Sequence, residues 1–335
     1  MLKEFSKYLR NKNIRPLITQ ENQWNSQFAQ IPDIPERKKA ELIEDSTLKI
    51  KHINIETPNS EFSYFLDGIE RKVTFNDKNR FIPLIYGYVA AVIMKRTDKK
   101  MHSIGLEDKS EKIYLPVKTD TNAPENYVNP EELRNYNFTI SNVGIKDEET
   151  GTYPQFPKEF ERKAHSDIQE TRGRLERGLV LEWLNQGHHD GWLFIDGRLE
   201  NKNKEITSSS RIAGIIKSHH VYYFSPEDQN KIFNLKKGER SSVFQPEKEN
   251  IYSWYLRLHE SKSSGNIDFG IIRVEIPAKE ELLSQVDTIS SWILLETNPI
   301  AFPASRWDRM IYPVKYCEDY LKSKAPSWAV IESLC

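Results

Sequence analysis

The chain has 335 residues, 38% of them hydrophobic, a mean hydropathy of −0.67, and 48 Lys plus Arg against 49 Asp plus Glu, for a formal charge of −1. That length lies between one large domain and two ordinary ones. The composition excludes a membrane-spanning helix, because no apolar run approaches roughly 20 residues, and, with two cysteines (Cys317 and Cys335), a disulfide scaffold or an all-cysteine zinc site. A dedicated nucleic-acid coat is usually basic, but the charge balance excludes neither a coat nor a nuclease. A nuclease need not be basic overall, because its carboxylates cancel part of a basic groove. The opening MLKEFSKYLRNKN has no apolar leader core, so a reduced, cytoplasmic protein is expected.

Residues 1–60 read as an N-terminal helical appendage packed on a main body of 61–335. Leu2, Phe5 and Leu9 recur at helical spacing, charges run from Glu36 to Glu44, and Pro32 and Pro35 interrupt the pattern. FSYFLDG (62–68) reads as the first clear strand, with a short RKVTF run after it. FIPLIYGYVAAVIM (81–94) is almost continuously apolar, as a strand covered on both faces is. The polar stretch 98–155 reads as an insertion or irregular loop, with a short strand at IYLPV. From Pro157 to Asn185 the apolar spacing turns helical, and Gly187 is the stop. GWLFIDG (191–197), IAGIIKS (212–218), YSWYLRLHE and FGIIRVEIP follow as strands. Strands that follow one another without intervening helices argue against a doubly wound parallel fold, so an α/β protein with a mixed sheet flanked by helices is expected.

Two Asp-Gly pairs stand at strand ends, Asp67-Gly68 and Asp196-Gly197. Asp-Gly between apolar runs is the leading hairpin signal. Two carboxylates held at the tips of neighbouring strands would equally cage a hard divalent cation, with each glycine allowing a close backbone approach. Glu176 and Glu182, and Glu170 upstream, offer a third oxygen. Glu176 and Glu182 lie about 600° apart around the helix, so only one can face the sheet. Lys217 ends its strand and suits a phosphate or a crowded acidic site. Arg273 and Glu275, two apart on one strand, read as an in-sheet ion pair or as catalytic groups. His188-His189 and His219-His220 read as loop and surface residues, since adjacent strand side chains diverge. Zincin, phosphate-loop and nucleophile-elbow motifs are all missing. Trp307, between Arg306 and Arg309, suits either stacking on single-stranded DNA or packing.

The order of these pieces resembles the NurA nuclease family, the partners of HerA hexameric DNA translocases. A strand with Asp-Gly comes first, then a helix bearing LE, a strand LFIDGRL, a strand GIIKS, a late IIRVE strand, and YP opening a C-terminal helix. The likeness runs from about Phe62 to Leu321, and its most specific unit is RLERGLVLEWLNQGHHDGWLFIDGRL. The resemblance implies an RNase H-like core and a Mn²⁺- or Mg²⁺-dependent nuclease acting on DNA ends, built as a homodimer seated on a HerA-like hexameric ATPase. It maps metal ligands onto Asp67, Asp196 and Glu176, with Glu182 as the competing third ligand, and it matches Lys217 to the family's lysine. The chain departs from the family in carrying Ile69 and Arg198 where serine follows each Asp-Gly. Its C-terminal helix also has Glu318, Asp319 or Tyr320 near the place of the family's histidine.

Two other readings stand beside it. Asp196 with Glu200 and Lys202, or Asp67 with Glu70 and Lys72, fits a restriction-type nuclease. A non-catalytic DNA-binding adaptor subunit of a translocase complex fits a degenerate site.

Overall fold

The computed structural model describes residues 1–16, 36–55, 58–188, 190–260, 267–301 and 306–333. The fold is mixed α/β: a large mixed sheet flanked by helices. Helix α1 (Leu2–Lys12) precedes three long strands, β1 (Phe62–Asp77), β2 (Ile82–Thr97) and β3 (Lys100–Leu115). Helix α2 (Pro157–Asn185) leads to β4 (Trp192–Asp196), β5 (Ile212–Ile216), β6 (Ile251–Arg257) and β7 (Ile271–Pro277). Helices α3 (Val286–Leu295) and α4 (Tyr312–Lys324) follow. Across the sheet the long strands run β6-β7-β5-β4-β1-β2-β3, extended at both ends by short strands, to thirteen strands in all. The central β5-β4-β1 pairs are parallel, whereas β1-β2-β3 and β5-β7-β6 are antiparallel.

Several expectations change here, each for a physical reason. Asp67-Gly68 closes no hairpin: it lies in the middle of β1, which continues unbroken through RKVTF and pairs with β2 from Tyr64↔Lys95 to Asp77↔Ile82. The polar stretch after residue 98 is not irregular at its start. Lys100–Leu115 forms a strand paired along β2, entered through Asp98 and Lys99, both at positive φ (49° and 63°). Those dihedrals match the two-residue hairpin turn usually signalled by Asn-Gly or Asp-Gly, and Asp-Lys carries no such signal. Most of β3 is exposed or half-buried, so its sequence also lacks the alternation of a half-buried strand. Among the described residues of 1–60, Leu2–Lys12 is helical and Arg15–Pro16, Glu36–Arg37, Ala40–Leu42 and Ile50–His52 are short strands; Pro32 and Pro35 fall outside the described residues.

Helix α2 occupies the range its periodicity marks. Pro157 opens it, Glu159 accepts the backbone N–H groups of Gln155 (2.7 Å) and Phe156 (2.9 Å), and Gly187, at φ 66°, stops it. Phe160, Ala164 and Ile168 pack into the main core, and Leu179, Val180 and Trp183 into a second cluster with Leu66, Ala91, Ile93, Leu193 and Ile195. α4 buries Pro313, Val314, Cys317 and Leu321 against β1 and β2, with the Cys317 thiol 3.5 Å from the Phe65 carbonyl oxygen. α1 joins the main core through Phe5, Tyr8 and Leu9, with edge-to-face contacts to Phe75, Phe138 and Tyr136. Among the described residues no helix is long and apolar enough to cross a membrane.

Candidate active site

The parallel pairing of β1 and β4 sets the site. Their register runs Phe65↔Phe194 and Leu66↔Ile195, so one residue further on Asp67 stands beside Asp196. Asp196 in turn pairs with Ile215 of β5, and Lys217 lies just beyond that strand. Strand alternation puts Asp67 on the face of Phe65 and Asp196 on the face of Phe194, both members of the main core. Each side chain is therefore placed by hydrophobic residues two positions earlier.

Lys217 is buried, and its ammonium donates to Asp196 at 2.8 Å and to the Met310 sulfur at 3.2 Å. Its carbonyl oxygen accepts from Arg309 (2.7 Å), itself fixed by Asp268 (2.9 Å) and Asp308 (3.1 Å). Asp67 is 4% exposed and accepts the Gly68 N–H at 2.8 Å. Among the described residues no ion pair is recorded for it, and burial, then the neighbouring Asp196 charge, hold its carboxyl well above the usual range despite Lys217 and Arg172. The Cys317 thiol overhead is pushed up by burial and by both aspartates.

Glu176 enters from the opposite layer. Ile168, Arg172, Glu176 and Val180 form one i, i+4 row on α2, and the two charged residues interrupt a row that is otherwise buried and apolar. Arg172 donates through Nε to Glu176 Oε1 at 2.8 Å. Burial raises the Glu176 carboxyl, Arg172 opposes that, and Asp196 adds to it. A Cβ on Gly68 would lie 2.3 Å from Glu176 Oε1. The room that glycine leaves is thus taken by the protein's own carboxylate rather than by a substrate backbone. Gly197 serves its own backbone, whose φ is 146°, and Gly214 makes room for the Gly197 carbonyl oxygen, which lies 2.8 Å from where a Cβ on Gly214 would be.

The other candidates fall elsewhere. Glu182 is exposed and accepts from Gln186 (3.3 Å), and Glu170 is also exposed. Arg273 and Glu275 make the in-sheet ion pair, at 3.0 Å, inside the core. Glu200 and Lys202 belong to a turn in which Glu200 accepts the Lys202 N–H (3.3 Å) and pairs with Arg177 (3.5 Å), and Glu70 pairs with Lys72 (3.7 Å), so neither restriction-type triplet joins its aspartate as a set. Trp307 packs on His259 and Phe269 beside the ion-paired Arg309. His188 meets the Tyr64 hydroxyl (3.2 Å) and stacks on Trp183, and His219 reaches the Ile271 carbonyl (3.0 Å). His189 lies outside the described residues. On α4, Glu318 lies near enough to be felt by Asp67 and pairs with Lys322, Asp319 pairs with Lys315, and the Tyr320 hydroxyl donates to Glu107.

Sequence reasoning missed Arg172. Its position four residues before Glu176, in an apolar row, was the available signal. The site as it stands holds three carboxylates and two cations, with Lys217 serving Asp196 and Arg172 serving Glu176. Among the described residues no three His, Cys, Asp or Glu side chains already form a metal-holding group. The oxygens are of the kind a hard divalent cation takes, and Asp67, with no ion pair among the described residues, is the one left for such a cation to pair with. The donor chemistry fits, with the two internal cations standing where ionic charge would.

No protein-family model and no curated protein matches the chain. A solved structure, that of the NurA nuclease from Sulfolobus solfataricus, is similar to it at 12% sequence identity and a TM-score of 0.43, over 89% of this chain and 84% of that one.

Proposed function

We propose that the protein is a metal-dependent DNA nuclease with an RNase H-like core, in which Asp67, Asp196 and Glu176 hold Mn²⁺ or Mg²⁺ and Lys217 faces the phosphate. The observation that carries this reading is the side-by-side placement of Asp67 and Asp196 on parallel strands, Asp67 being buried and without an ion pair among the described residues. Burying a carboxylate next to another is costly, and a stability-selected core has no use for it; a cation site does. When bound, the ion supplies positive charge to the phosphate oxygens and a more acidic water. Asp67 would hold the ion as a carboxylate. Lys217, locked by Arg309 and Met310, presents a fixed ammonium for charge developing on the phosphoryl group. The family resemblance extends the proposal to DNA ends as substrate, a homodimer, a HerA-like hexameric ATPase as partner and a cytoplasmic setting.

The test is Asp196→Asn on linear DNA with Mn²⁺. Cleavage is expected to vanish while the circular dichroism spectrum stays that of the wild type; near-wild-type cleavage refutes the assignment. A second reading, the non-catalytic DNA-binding adaptor, is favoured by the ion pairs that occupy Asp196 and Glu176. It predicts a wild-type protein that binds DNA or an ATPase yet degrades nothing across a Mn²⁺ titration.

A further inference from the structure

Arg172 lies at the centre of the charge balance, and the nuclease reading assigns it nothing. Its Nε–Glu176 bond of 2.8 Å occupies the one helix carboxylate aimed at the sheet. Its side chain is 34% exposed, so the guanidinium reaches solvent as well as the site. It is also felt electrostatically by Asp67. A guanidinium with one end on a carboxylate and the other toward water has two competing partners: the Glu176 oxygen and an arriving oxyanion, of which phosphate is the best matched to its fork.

Resting on the nuclease reading, we propose that Arg172 couples DNA binding to metal binding by passing from Glu176 to a backbone phosphate. Without DNA, Arg172 neutralises Glu176 and lowers the site's affinity for a divalent cation. A phosphate that captures Arg172 frees Glu176 to complete the oxygen set beside Asp67 and Asp196. The coupling is reciprocal, so a bound cation that takes Glu176 leaves Arg172 free for DNA. In this arrangement the third ligand is stored in an ion pair. Metal would then load fully only when substrate is present.

The test measures Mn²⁺ binding directly, by the electron paramagnetic resonance of free Mn²⁺, with and without a phosphorothioate-linked DNA duplex that resists cleavage. For the wild type, the duplex is expected to tighten Mn²⁺ binding by about 5- to 50-fold, within the range usual for coupled sites. Arg172→Gln is expected to bind Mn²⁺ tighter than the wild type without DNA, by a similar factor, and to respond little to the duplex. Adding Glu176→Gln to that variant should abolish the gain, which a merely structural role for Arg172 would not produce. Arg172→Lys, which keeps the charge without the fork, covers the case in which Arg172→Gln fails to fold; it should show a smaller gain and a weakened DNA response. If wild-type binding depends on Asp67 and Asp196 but neither variant changes affinity or coupling, the gating role is overturned and the nuclease reading stands. If the wild type binds no Mn²⁺ with or without the duplex, both fall together.

Discussion

Asp67→Asn is the substitution that separates a site built for a cation from one built for stability. On neighbouring parallel strands, carboxylates in register lie about 4.8 Å apart. At an effective dielectric constant of about 20 their repulsion is about 3 kcal/mol. Lys217, 2.8 Å from Asp196, offsets part of it, leaving about 1–2 kcal/mol against folding when both are ionised. The asparagine oxygen can still accept the Gly68 N–H, so the local hydrogen bond survives. The entropy of unfolding 335 residues is about 0.7 kcal/mol/K, so the variant should melt about 1.5–3 °C above the wild type at pH 8 in chelator. The sign follows from the raised carboxyl. At acid pH Asp67 is protonated folded and unfolded, and the two proteins coincide. As pH rises past the ordinary carboxylate range, the unfolded chain releases its proton first and the wild type loses stability until its own raised value is passed. The gap therefore opens with pH and then holds. Saturating Mn²⁺ reverses the order: at a hundred times its dissociation constant the ion adds about 2.7 kcal/mol to the wild type and little to the variant. Melting curves from pH 4 to 8, with and without Mn²⁺, read all of this. A variant that melts below the wild type at pH 8 in chelator would mean that the Asp67 carboxylate is a structural group, and the reasoning fails.

Other outcomes follow from the same geometry. Gly68→Ala forces Glu176 Oε1 away from a new methyl group at 2.3 Å; since the end of a flexible side chain moves, the fold should survive, while Mn²⁺-dependent cleavage falls by roughly a hundredfold, and unchanged kinetics would dissociate Glu176 from the chemistry. Arg240→Met removes a guanidinium, 1% exposed, that holds Glu44 at 2.7 and 2.8 Å and Asp287 at 2.5 Å, and should cost about 3–5 kcal/mol in urea at pH 7. Glu44 is lowered to about 2, with burial opposing and the Arg240 and Lys51 bonds prevailing. Its contribution is present above the ordinary carboxylate value and is lost as pH falls toward about 2, so the deficit of the variant should shrink in acid. Cys317, buried and shadowed by two aspartates, should resist iodoacetamide at pH 8 and react in urea, as located by peptide mass.

Much of the architecture was legible because apolar patterns encode it: α2 shows in its helical spacing, and the strands carrying Asp196 and Glu275 and the one ending just before Lys217 are apolar runs whose interiors need only burial. The β2-β3 hairpin was not, since its turn places Asp98 and Lys99 at positive φ without glycine and its outer strand carries charge on both faces. Asp67-Gly68 misled for the opposite reason: the pair is a strong turn signal, but here glycine serves a carboxylate arriving from another layer. Helical phase alone separated Glu176 from Glu182 onto different sides. Which side met the sheet depended on how α2 lies across β1 and β2, a tertiary fact. Arg172 was hidden in the same way, as one charged residue among many until the row Ile168–Val180 is seen to face inward.

The register that sets Asp67 beside Asp196 also orders events during translation. Asp67 leaves the ribosome early, its strand partner Asp196 and the lysine at 217 come far later, and the helix roofing Asp67 is made only with residues 312–324. Contacts so distant along the chain form slowly. A nascent chain therefore carries these acidic groups apart, and a chain cut short before residue 312 would lack the helix that covers Asp67.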